Sequence, residues 1–85
     1  MPFNALSDVM DVLEYGAIKY GTDNWKEGCN YSRLMDATMR HLIAWWGGEQ
    51  DDQESRLPHL AHAACNILFL MYFKIKGVGN DDRPN

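Results

Sequence analysis

From Ala63 to Phe73 the chain is apolar on nearly every side, and a helix of that character has to be covered from several directions at once. The rest of the molecule must supply that cover. Pro58 fits the first turn of this helix, which the pattern carries to Lys76 before Gly77 stops it, with Asp52 as an alternative, earlier cap. The run is broken by Asn66 and preceded by two histidines, so it falls short of a membrane span.

Two further helices are legible. Val9, Val12, Leu13, Ala17 and Ile18 form an apolar stripe over Leu6 to Lys19, with Asn4 or Ser7 available as a cap and Gly21 as the stop. Ser32 opens the second, whose Leu34, Met35, Thr38, Leu42, Ile43 and Trp45 recur at helical spacing up to Gly47-Gly48, with Asp36 and Arg40 able to pair on its outer side. Between them, residues 22–30 are rich in turn formers, and Trp25 is expected to pin this loop to the body of the domain. No strand-like alternation appears. The fold class is therefore all-α: a small three-helix domain over residues 1–76, followed by a flexible tail over 77–85.

A chain of 85 residues buries only ~60 to 65% of its unfolded surface, yet 46% of its residues are hydrophobic and 12% aromatic. That surplus predicts a homo-oligomer in which a second copy completes a helical bundle. A net charge of −4 argues against a nucleic-acid polymer, which requires a clustered basic field; a single nucleotide does not. Cys29 and Cys65 lack CxxC spacing and no apolar leader precedes them, which leads to the expectation of a reduced, cytoplasmic protein with no membrane partner.

The candidate chemistry gathers around the second interhelical connection. Glu49, Asp51, Asp52 and Glu54 place four carboxylates in six positions, a density that suits a divalent cation or, as a plain alternative, a solvated connector capping the next helix. His59, His62 and Asn66 follow at i, i+3 and i+7, within about 60° of arc on one helix face. Asn66 lies among Ala63, Ile67, Leu68 and Phe69, so its amide needs a hydrogen-bond partner or a ligand. His41 shares the inward stripe of Leu34, Thr38 and Trp45, and antiparallel packing across a short connection would bring it opposite His59 and His62. Nitrogen donors suit zinc and oxygen donors suit magnesium or manganese; the carboxylates Glu49, Asp52 and Glu54 are the expected magnesium or manganese ligands, with the imidazoles donating to phosphate. In the segment from Tyr15 to Trp25, Lys19 could meet a phosphate and Tyr20 or Trp25 a base. The residues alone favour a plainer reading in which the tyrosines pack, Gly16 permits close helix approach and Gly21 caps.

The strings YGAIKYGTDNWKEG, RHLIAWWGGEQDDQES and LPHLAHAACNILFL resemble the phage and bacterial dATP/dGTP diphosphohydrolases, which are related to the MazG-like all-α nucleotide pyrophosphohydrolases. The likeness spans about positions 5 to 75. It implies an oligomeric all-α fold that hydrolyses a purine deoxynucleoside triphosphate to monophosphate and pyrophosphate with Mg2+ or Mn2+. By that likeness Lys19, Asn24, Trp25, Arg40, His41, Glu49, Asp52, Glu54, His59, His62 and Asn66 occupy the family's motif positions, whereas Arg56 stands where the family commonly has glycine.

The leading reading assigns catalysis to Glu49, Asp52, His59 and His62, metal binding to Glu49, Asp52 and Glu54, and substrate contacts to Lys19, Asn24, Trp25, Arg40, His41 and Asn66. Two alternatives stand beside it: a phage protein that binds and sequesters a nucleotide signal without turnover, and a helical subunit with structural histidines.

Overall fold

The computed structural model describes residues 1–21 and 24–84, with the backbone alone at residue 24. Its elements are α1 (Phe3–Tyr20), a single 3-10 turn (Asn24–Glu27), α2 (Tyr31–Trp46) and α3 (His59–Lys76), with no strand among the described residues beyond isolated bridges. The all-α, three-helix expectation holds. Neither Asn4 nor Ser7 caps α1: the helix starts earlier, because the Pro2 carbonyl accepts the amides of Ala5 and Leu6 at 3.1 Å each. Proline at a helix entrance sacrifices no hydrogen bond.

Helix α3 is the central element, and it buries two of its sides. Ala61 and Cys65 meet Val12 of α1, with Val9, Leu57 and Phe69 closing around them. On the other side His59 faces His41 of α2, and the ring of Phe73 stacks on Tyr31 at 6.2 Å. These pairings make α2 and α3 antiparallel. The small side chains Ala61, Ala63 and Cys65, all buried, let both neighbours approach closely. Contacts between α1 and α2 are sparse by comparison, so each leans on α3 and a gap opens between them.

The third side of α3 stays uncovered: Leu60, Ile67, Leu68, Met71 and Ile75 are exposed, as are Met35, Met39, Ile43 and Trp46 along α2. Among the described residues no helix is long and apolar enough to cross a membrane.

Trp25 fastens its loop as expected, stacking on Phe69 at 5.4 Å and meeting the edge of Tyr72 at 4.9 Å. The segment after α3, read from sequence as loose, runs back to the start of α2. There the Asn80 amide donates to the Cys29 carbonyl at 3.0 Å, and the Tyr31 amide to the Asn80 carbonyl at 2.9 Å. Asp82 then accepts the amide and hydroxyl of Ser32, capping α2 from fifty residues away.

Gly28 makes this return possible, since a Cβ there would sit 2.4 Å from the Gly79 nitrogen and φ is already +80°. Gly28→Ala is expected to cost at least ~1–2 kcal/mol in urea unfolding. It should also speed hydrogen exchange at the Asn80 amide.

Candidate functional site

The connector between α2 and α3 is a folded turn, not a solvated strand of charge. The Glu49 amide donates back to the Ala44 carbonyl, Asp51 bridges Pro58, and the Asp52 amide donates to the Leu57 carbonyl at 2.8 Å. Arg56 donates its amide to the Asp52 carbonyl at 2.8 Å, and the His59 amide closes the set on Gln50 at 3.0 Å. Arg56 adopts φ 64°, the one left-handed non-glycine among the described residues, a backbone conformation that favours glycine. This turn directs Asp52 inward. Its carboxylate accepts the Ser55 amide at 2.8 Å, and although burial works against the charge, those Ser55 bonds and the nearby imidazoles hold its pKa below the usual carboxylate value.

Three imidazoles converge where sequence placed them. His59 is 4% exposed; its Nε2 lies 2.6 Å from Glu49 Oε1 and its Nδ1 2.8 Å from His41 Nδ1. His59 and Gln53 stabilise the Glu49 carboxylate, which is held below its ordinary pKa. An ionised carboxylate only accepts, so His59 must place its Nε2 proton on Glu49 and leave Nδ1 to face His41. His41 stacks on His62 with ring centroids 4.5 Å apart. Burial, then the charge His62 would carry, push the His41 pKa down to about 4. Burial also lowers His62, whose Nε2 meets Ser55 Oγ at 2.7 Å. At neutral pH His41 and His62 are therefore uncharged rings.

Beside this cluster the gap between α1 and α2 forms a cavity of about 430 Å3 with α3 as its floor. It is polarised along its length. At one end stand Asp52, Glu54, His41, His62, Arg40, Lys19 and Tyr15; toward the other lie Trp25, Phe69, Phe73, Cys29 and Arg33. Asn66 lies midway on the floor, half-buried, and its amide makes no hydrogen bond to another described residue. Arg40 and Arg33 likewise form no ion pair among the described residues. Unpaired donors that line a cavity are free to receive a ligand.

The expected carboxylate cage of Glu49, Asp52 and Glu54 does not assemble. Glu49 is taken by His59 and Gln53, while Glu54 accepts the Tyr15 hydroxyl at 2.7 Å and pairs with Lys19. Each acid satisfied itself with a separate donor, because the turn points them different ways. The cluster that does bring three donor atoms within 4.8 Å of one another is His41, Asp52 and His59. Arg40 lines the cavity and does not pair with Asp36, and Gly16 faces the cavity with nothing near its absent Cβ, so it makes no close helix contact. The Asn24 side chain lies outside the described residues. Sequence reasoning missed Ser55, which ties Asp52 to His62, and Tyr15, which orients Glu54.

The model of the dATP/dGTP diphosphohydrolase N-terminal family matches residues 1–83. The chain belongs to this family. A relative named dATP/dGTP diphosphohydrolase from Salmonella phage PMBT28 is 37% identical over 76 residues, which cover 89% of this chain and 26% of the relative. The chain thus spans about a quarter of the length of that relative. No solved structure matches it.

Two outcomes follow from the geometry. Between pH 6.5 and about 4 the unfolded chain binds a proton that folded His41 refuses, so stability should fall as pH drops through that window. The lowered carboxylates Glu49, Asp52 and Glu54 add a loss of the same sign below about 4.5. Urea midpoints measured across this range should decline, and His41→Gln should make the part above pH 5 shallower, with His62, also lowered by burial, keeping a contribution of the same sign. Arg56→Gly should raise stability by about 0.5–1 kcal/mol by relieving the left-handed backbone, read as an upward shift in the thermal midpoint.

Proposed function

We propose that this domain binds a purine deoxynucleoside triphosphate in the cavity between α1 and α2 and hydrolyses it to monophosphate and pyrophosphate. The carrying observation is the polarity of that cavity: a charged end with Lys19 and Arg40, an aromatic end with Trp25 and Phe69, and between them the Asn66 amide, which has no hydrogen bond among the described residues. A nucleotide has the same division, with a polyphosphate at one end and a flat base at the other. The volume of about 430 Å3 lies in the range of small-ligand sites.

Arg40 receives the phosphate chain directly, and Lys19 joins it by exchanging its Glu54 partner for phosphate oxygens. Asn66 has two donors and an acceptor to offer to the sugar or base edge. Neutral His62, held by Ser55, accepts a proton from attacking water, while His41 packs flat against it and fixes its plane. A divalent cation, magnesium or manganese, beside Asp52 would offset the charge on the phosphates. The name of the phage relative, dATP/dGTP diphosphohydrolase, supports the substrate class. The same reading has the exposed stripes of α2 and α3 covered by a second copy, and the protein acting on the cytoplasmic nucleotide pool of a bacterial or phage-infected cell.

The test is to incubate the 85-residue chain with dATP and dGTP and either cation. Equal amounts of monophosphate and pyrophosphate should appear, and His62→Ala should slow their release roughly 100-fold. Lys19→Ala should raise KM by about tenfold with a smaller effect on kcat. Tight binding followed by recovery of unaltered nucleotide would make the domain a sequestering protein instead.

A further inference from the structure

The acidic connector was expected to cradle its cation with oxygen alone, and in the structure Glu49, Asp52 and Glu54 each bond a different partner. What remains is a mixed donor set. His59 Nδ1 and His41 Nδ1 point at each other across 2.8 Å, and one ring nitrogen of each lies within 4.8 Å of an Asp52 oxygen. A shared proton holds the two rings at that hydrogen-bond distance; two nitrogens each about 2.1 Å from one ion stand roughly 3.4 Å apart at a tetrahedral angle, so an ion displaces the proton to solvent as the rings part by about half an ångström.

Three observations favour the ion. Glu49 grips His59 Nε2 at 2.6 Å, the carboxylate-to-imidazole bond that turns the other ring nitrogen toward a metal and raises its basicity. His59 is nearly inaccessible, so the nitrogen has been oriented at the cost of burying a polar ring. His41 and Asp52 both line the cavity, which leaves an entry path and open positions on the side where a phosphate would lie.

We propose that His41, Asp52 and His59 form a site for one divalent first-row transition ion, with Glu49 orienting His59 from behind and touching no metal itself. Two nitrogens and one carboxylate suit manganese, iron, cobalt or zinc; magnesium demands oxygen ligands and retains its waters. The site deepens the hydrolase reading by choosing manganese over magnesium, and it rests on that reading only for its purpose. Glu54 lies outside the set, paired with Lys19.

The test uses manganese alone on the nucleotide-free chain, followed by electron paramagnetic resonance. One ion should bind per chain, survive a roughly hundredfold excess of magnesium, and show in pulsed spectra hyperfine coupling to imidazole nitrogen. His41→Asn and Asp52→Asn should each weaken binding at least tenfold, and Glu49→Gln by about 10–100-fold, with helicity by circular dichroism confirming the fold. Spectra of the unaltered chain that lack nitrogen coupling, or displacement of manganese by an equal amount of magnesium, would overturn the site. Pyrophosphate release with magnesium alone, together with absent nitrogen coupling, would sink the metal assignment and leave the hydrolase reading standing. Nitrogen-coupled manganese without nucleotide turnover would support the site and defeat the other.

Discussion

The buried ring of His59 ties together α2, α3 and the connector between them. It sits on α3, faces His41 on α2 through one nitrogen and is held by Glu49 of the connector through the other. A half-satisfied imidazole at 4% exposure would destabilise the fold, so these two bonds must form together. Their formation sets the register of α2 against α3 and closes the connector over the helix entrance. From that closure follow the inward turn of Asp52, the Ser55 contact to His62 and the position of Glu54 opposite Lys19.

A cavity persists beside this network because α1 and α2 each pack on α3 without closing on each other. Small residues on α3 draw both neighbours near, while Gly16 and Ala17 keep the α1 wall low. Close packing is thus spent along two lines, Val12 with Cys65 and Tyr31 with Phe73, and the space between them stays open. Trp25 and Phe69 stack in its lining, and nearby Gly28 lets its backbone nearly touch that of Gly79 in the segment after α3. Polar groups without partners then face a space they could share with a ligand.

Much of this was legible in the residues. Helical periodicity marked three helices, and a short connection with antiparallel packing brought His41 to His59 and His62. Asn66 declared itself by standing among apolar neighbours. The carboxylates were less readable, because a turn has no period: the direction of Glu49, Asp52 and Glu54 depends on a left-handed backbone at Arg56 and on a lysine thirty-five residues earlier. Long-range caps escaped for the same reason. Nothing local to Ser32 announces Asp82, and nothing local to Gly28 announces Gly79. Periodic signals report local structure, whereas ion pairs across the chain are fixed only once the helices have packed.

The most direct measurement of the account is a crystal structure of the chain with a non-hydrolysable dATP or dGTP analogue and manganese. The phosphates are expected against Lys19 and Arg40, the base toward Trp25 and Phe69, and the Asn66 amide on the ligand. A nucleotide found outside the space between α1 and α2, with Asn66 still without a partner, would contradict it.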